Sequence, residues 1–300
     1  MGFYKENKKE IITLQLISQM LGKVKLGYAA QEPQWAHVIL DITPHGFSTG
    51  LLKYDNDYFE IEVNLIKSVI AIKTKEKERD IKLVDGKSIS EYYEELMETS
   101  AAQGLELSIN TKPQEMEVIT PFEEDKEHHH YNESVAREIL EWFQFAWDAE
   151  QQFIAPLRQR KVYPGLFWGT FDVSCIIMYN KLEDFPDDSK VISRAAFDEH
   201  MVEFGFWLGD DNFKHPTFFI LPYPFVEGVE LEIDESFPKG SYFSADMAEY
   251  LYEIKDEVDK AKTDDVIRFM EASFKRSMEY LKWKDTDHYF VDLKMEKNKK

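Results

Sequence analysis

The sequence predicts an α+β protein of two similar-sized halves, each a largely antiparallel sheet covered by helices. Three observations lead there. The 300 residues suit two units of about 150 residues. Segments of period-two alternation and segments of helical period occur in both parts of the chain. A Pro-punctuated stretch between Pro113 and Pro121 separates them, which sets an N-terminal half at 1–112, a linker at 113–132 and a C-terminal half at 133–300, the two packed as one unit.

In EIITLQLISQMLGKVKL, Ile11, Leu14, Ile17 and Leu21 recur at helical steps, and Gly22 weakens the end. WAHVILDIT alternates as a strand and stops at Pro44-His45-Gly46. YFEIEVNLIKSVIAIKT reads as two strands or one bent strand, and the residues around Ile81 and Leu83 as a short one. Ser88 and Glu91 form a capping box before a helix through Tyr92, Tyr93 and Leu96 that Gly104 ends, and LELSIN closes the half as a strand.

The C-terminal half opens with the strongest helix, whose stripe runs through Val135, Ile139, Trp142, Phe143, Ala146, Ala149, Phe153 and Leu157, capped by Asn132. After Pro164-Gly165, LFWGTFDVSCIIMY reads as one long strand, GFWLG as a turn and HPTFFILPYPF as an edge strand, because Pro222 and Pro224 cannot donate to a ladder. VELEI adds a strand. Two helices follow, one through Met247, Leu251, Ile254 and Val258 and one from Thr263 to Leu281, with Thr263, Asp264 and Asp265 at its start. KMEKNKK reads as a frayed tail. WAHVILDIT echoes WGTFDVSCII, and GFSTG echoes GFWLG, the pattern an internal duplication would leave.

Composition narrows the function classes. With 43% hydrophobic and 14% aromatic residues, the chain can build cores. A net charge of −21 opposes nucleic acid and anionic membrane surfaces. Cys175 is the only cysteine, which excludes an intrachain disulfide and a Cys-based zinc cluster. No apolar run of signal-peptide or membrane-spanning form occurs, so the expectation is a cytoplasmic protein.

Two strand faces carry the functional expectation. If WAHVILDIT is a strand, Trp35, His37, Ile39 and Asp41 share the face away from the core residues Ala36, Val38, Leu40 and Ile42. In the second half Phe167, Phe171, Val173, Cys175 and Ile177 form the core face, and Trp168, Thr170, Asp172 and Ser174 share the other. A Trp beside a few polar groups is the usual make-up of a ligand pocket. Trp35, His37, Trp168, Asp172 and Trp207 are therefore the candidate ligand-binding residues.

Taken in order, TLQLISQMLGKVKL, PQWAHVILDITPHGFST, PFEEDKEHHHY, FWGTFD and GFWLG resemble a bacterial domain family of unknown function across roughly residues 10–285. The resemblance implies one family-length unit and brings no activity. Where the family pattern has one histidine after PFxED, this chain has three, and His128 is the counterpart.

The stretch PFEEDKEHHHYNE admits two readings. As a metal centre, His128 and Asp125 would hold a divalent ion, with His130 and Glu124 as further donors. As a helix run-in, Asn132 caps and Glu133 complements the helix dipole. His200 precedes GFWLG and approaches Asp172 if that turn folds back. Cys175 lies on an apolar face, and no G-x-S-x-G, phosphate-loop or H-E-x-x-H pattern is present. The leading expectation is binding of a small molecule or peptide at a Trp-walled cleft between the halves. One alternative is a metal-dependent hydrolase using His128, His37 and carboxylates, and another is a protein-partner or structural module.

Overall fold

A computed structural model describes residues 2–226, 228 and 231–295. Helix α1 (Phe3–Tyr28) runs past Gly22 in both directions of expectation, longer at each end than its apolar period. Gly22 does not end it. A Cβ there would fall inside the Trp168 indole, so the glycine lets that ring lie against the helix backbone.

The N-terminal sheet contains β1 (Asp41–Ile42), β2 (Gly46–Ser48), β3 (Leu52–Tyr54), β4 (Asp57–Asn64), β5 (Val69–Thr74) and β6 (Glu78–Lys82). Its order is β1-β2-β4-β5-β6, with β3 also on β4, and every pairing is antiparallel. The expected strand WAHVILDIT is mostly absent. Pro33–Val38 is a 3-10 turn, and only Asp41–Ile42 pairs as a strand. Gln34 and Trp35 both adopt left-handed backbone (φ 52° and 56°), which breaks the alternation their sequence suggests. LELSIN is likewise not a strand.

Helix α2 (Ile89–Ala101) begins at the expected capping box. The Ser88 hydroxyl accepts from the Glu91 amide, and the Glu91 carboxylate accepts from the Ser88 amide at 2.8 Å. Ser88→Ala is expected to cost about 1 kcal/mol, read as a shifted urea midpoint at unchanged slope. An unshifted midpoint would mean that the docked segment before α3, not the box, holds this helix end.

Helix α3 (Glu133–Ile154) starts where Asn132 Oδ1 accepts from the Ser134 and Val135 amides. Its stripe is buried from Ala136 to Ile154 and packs on β7 (Lys161–Phe167), β8 (Asp172–Leu182), β9 (Glu199–Trp207) and α5 (Thr263–Tyr280). The expected single strand LFWGTFDVSCIIMY is a hairpin, with Trp168–Phe171 as its turn. Phe171 is left-handed (φ 64°) and its amide bonds the Phe167 carbonyl at 2.8 Å.

Short helix α4 (Val191–Ala196) precedes β9, and β10 (Thr217–Tyr223), β11 (Tyr242–Ser244) and β12 (Glu249–Glu253) complete the sheet in the order β11-β12-β10-β9-β8-β7, all antiparallel. Strand β10 is interior, not an edge. Its proline is tolerated because β12 pairs only with Thr217–Ile220 and ends before Pro222. The helix expected through Met247 and Leu251 is instead the β11–β12 hairpin; a short apolar run does not separate the two periods, and Tyr242, Phe243, Tyr250 and Tyr252 favour the sheet. Gly205–Trp207 of GFWLG end β9, with Leu208 and Gly209 just beyond it, and Lys262, not Thr263, precedes α5 without a side-chain cap. In VELEI, Val229 and Glu230 lie outside the described residues and Leu231–Ile233 form no strand; residues 296–300 of the tail also lie outside.

The two sheets meet at one edge, where Leu40 and Leu166 exchange backbone hydrogen bonds of 3.0 and 2.8 Å. One apolar core runs from α1 through both sheets to α3 and α5. Among the described residues, no helix is long and apolar enough to cross a membrane.

Candidate functional site

The C-terminal sheet has two unlike faces. Val173, Cys175, Phe204, Phe206 and Phe218 are buried on the α3 side, where Phe206 stacks on Trp142 and Phe204 packs on Phe153. Alternation sends Asp172, Ser174, Glu203, Gly205, Trp207 and Phe219 to the other side. That face floors a cavity of about 760 Å³. Its roof is made by α1 through Tyr4, Lys8 and Ile11, the 3-10 turn through Gln34 and Trp35, and the segment Gln114–Val118; α4 adds Ile192.

Polar groups of α1 tie the roof together and to the β7–β8 turn. Gln15 Nε2 donates to the Gly169 carbonyl at 2.8 Å, and Gln19 bonds the Gln114 backbone through both its amide atoms, at 2.8 and 3.0 Å. The left-handed residues Gln34, Trp35, Glu115 and Phe171 all line the cavity. Such backbone costs roughly 1–3 kcal/mol per residue and persists where the surroundings impose it.

The floor carries acids. Thr170 and Ser174 hydroxyls both donate to Asp172. Burial pushes the Asp172 carboxyl above its ordinary range, and the two hydroxyls oppose that push. Glu203, which also reaches Ser174, is raised by burial and then by the charge of Asp172. Burial with the same neighbour raises Glu249 on β12 to about 7. Desolvation and the charge of Asp172 thus favour the protonated forms of Glu203 and Glu249 near neutral pH, while Asp172, raised to about 6, carries the floor's charge. Floor groups of this kind can hold a cation in place of a proton, or exchange protons with a ligand.

The residues singled out from sequence divide. Trp35, Trp168, Asp172 and Trp207 all line this cavity. Trp35 donates its Nε1 to the Ile192 carbonyl at 3.0 Å, and Trp207 packs against Phe213 and Phe219. Trp168 is 3% exposed and donates to the Val38 carbonyl at 2.9 Å, so it joins α1, the 3-10 turn and the β7–β8 hairpin. His37 is not among the lining residues; its Nδ1 accepts from the Glu32 amide at 3.1 Å and its ring lies 5.7 Å from that of Trp35. His200 points away from Asp172, on the other face of β9, and bonds Lys181, Glu183 and Trp283.

Asp125 and His128 lie elsewhere, at the start of α2. Asp125 Oδ2 bonds His128 Nδ1 at 2.8 Å, and Asp125 Oδ1 accepts from the Glu127 and His128 amides. The Asp125 hydrogen bond raises the His128 pKa. Against the upward push of burial, these bonds hold Asp125 below its ordinary value. The carbonyls of His128 and Asp125 accept the Ile89 and Ser90 amides, so this segment caps α2. Among the described residues, no three His, Cys, Asp or Glu side chains gather as a metal site.

Sequence reasoning did not single out Glu203, Glu249 or Gln34. A signal for Glu203 exists: in HMVEFGFW it is the acid that alternates with Gly205 and Trp207. Glu249 was hidden by the helical reading of its segment, and Gln34 by the strand reading of the 3-10 turn.

No curated protein and no solved structure matches the chain. A family model described as a family of unknown function (DUF5996) matches residues 3–289, so the chain belongs to that family.

Proposed function

We propose that this DUF5996 protein binds a small organic molecule in the cavity between its C-terminal sheet and α1 with the 3-10 turn, as a cytoplasmic bacterial protein. The observation that carries the reading is the cavity itself: about 760 Å³, walled by Trp35, Trp168 and Trp207, with carboxyl groups on its floor and at the roof segment Gln114–Val118. Such a volume, aromatic lining and few oriented polar groups are what small-molecule sites have in common. The cytoplasmic placement is supported by the absence of a disulfide partner for the buried Cys175; the bacterial one is supported by the sequence blocks quoted above.

Native mass spectrometry of the full chain from a bacterial host tests the binding reading, together with Trp207→Ala. The expected result is a retained organic mass in one-to-one ratio that falls at least about tenfold in occupancy in the variant. A bare mass, no thermal shift with any compound of a broad metabolite set, and a co-purifying protein lost on Trp35→Ala would replace this reading with a partner-binding module.

A further inference from the structure

We infer that the ligand of this cavity is an organic cation, an ammonium group carried on an apolar body; the inference rests on the small-molecule reading above. The cavity's charge is one-sided. Asp172, Glu203 and Glu249 lie on its floor, and Glu115, Glu117 and Asp211 line it from exposed positions. Lys8 is the one basic side chain among the described lining residues, and Asp211 already pairs with it at 2.7 Å. An anionic ligand would meet repulsion from the floor, the mouth and the net charge of −21. A cation is drawn in by all three.

Two further observations point the same way. Trp35, Trp207, Phe167 and Phe219 line the space beside the acids, and aromatic rings attract ammonium groups through their negative faces. Gln34 is the second. It is 1% exposed and lines the same cavity. Its Nε2 donates to Asp198 Oδ1 at 2.6 Å and lies 3.5 Å from Glu199 Oε2, which fixes the amide so that Oε1 is the free end. That oxygen is buried and has no donor. An unmet buried acceptor is unfavourable, and an ammonium N–H that reached it from the cavity would supply what it lacks. A quaternary ammonium would not.

The floor acids make binding proton-linked. Asp172 faces Glu203 and Glu249 across the sheet and Glu115 from the roof, with Glu150 of α3 behind it. An ammonium beside Asp172 takes the place of protons that Glu203 and Glu249 hold when the cavity is empty. Binding therefore releases protons, and affinity rises as pH passes through neutrality.

Calorimetric titration of the full chain with benzylamine and 4-phenylbutylamine, their alcohol counterparts and the matching carboxylates, at pH 6 and pH 8 and in two buffers of different ionisation heat, tests this. The amines should bind about tenfold or more tighter than the alcohols, with proton release and higher affinity at pH 8. Glu203→Gln and Glu249→Gln should each lose about tenfold in amine affinity while alcohol binding is kept and the melting temperature at pH 6 and pH 8 does not fall. Alcohols or carboxylates binding as well as amines, or Glu203→Gln leaving amine affinity intact, would overturn the cation assignment and leave the small-molecule reading standing. A retained organic mass that lacks a basic nitrogen would do the same. No binding by any of the three series, with no retained mass, would overturn both.

Discussion

Trp168→Ala is expected to remove about 3–5 kcal/mol of stability, the range for deleting a large buried aromatic. The indole is 3% exposed, lies against α1 where Gly22 has no side chain, and donates to the Val38 carbonyl. Lys23 sits over the ring at 5.7 Å. Truncation thus opens a void where the N-terminal half meets the β7–β8 hairpin and leaves a buried carbonyl without its donor. Gly22→Leu probes the same contact from the other side. Its side chain has no space without moving the indole, and overpacking of this kind costs typically 1–3 kcal/mol or more. Trp35→Ala is the control: that ring is only half-buried, so its loss should act on binding more than on folding. Urea unfolding of the three variants separates these roles. If Trp168→Ala unfolds within about 1 kcal/mol of the parent, the indole is a cavity wall only and the halves are held elsewhere.

The contrast between the two tryptophans shows what the sequence makes legible. Both line a cavity, as residue type suggested, but not through the strand alternation expected of them, since Trp35 sits in the 3-10 turn and Trp168 in the β7–β8 turn. Their different duties could not be anticipated, because Gly22 and Val38 reach Trp168 from distant parts of the chain. Local chemistry read well: the Ser88–Glu91 box, the Asn132 cap and the α3 stripe depend on residues within a turn or a face of one helix. The 3-10 turn at Pro33–Val38 read poorly, since Gln34 and Trp35 take left-handed backbone without the glycine or asparagine that usually signals it. The β11–β12 hairpin failed for a third reason. Met247, Leu251 and Ile254 fall at helical steps by coincidence, and only pairing with β10 settles the matter. With that segment misread, Glu249 could not be placed beside Asp172 and Glu203. The site's aromatic wall was therefore more visible than its acids.

Those acids should tilt the protein's stability against rising pH, and this is the second large effect expected. Glu249 is raised to about 7, Glu203 is raised as well, and Glu150, fully buried with only the Cys175 thiol beside its carboxyl, is pushed up by burial. Near pH 4 and below, folded and unfolded chains both hold these protons. Above the ordinary carboxyl range the unfolded chain releases them and the folded chain does not, so stability falls by roughly 1.4 kcal/mol per pH unit for each retained proton. The decline from each group ends once pH exceeds its folded value. For Glu249 alone the loss is on the order of 3 kcal/mol between pH 5 and pH 8, a large share of a typical folding free energy of about 5–15 kcal/mol. Asp125 has the opposite sign. Its lowered pKa contributes stability above the ordinary Asp range that is lost as pH falls through its folded value. Stability should accordingly peak near pH 5 and descend on both sides. General repulsion from a charge of −21 also steepens the alkaline limb, so the informative quantity is the difference between the parent and Glu249→Gln, Glu203→Gln and Glu150→Leu. Each variant should flatten that limb, and Glu150→Leu should raise stability at pH 8, because a buried carboxyl with only a thiol beside it is replaced by a packed apolar side chain. An alkaline limb of unchanged slope in all three would mean that the folded chain ionises these carboxyls at no cost. If an ammonium ligand occupies the floor, it stabilises the ionised acids and should restore stability at pH 8 far more than at pH 5, so the same melts repeated with benzylamine connect the energetics of the empty cavity to what fills it.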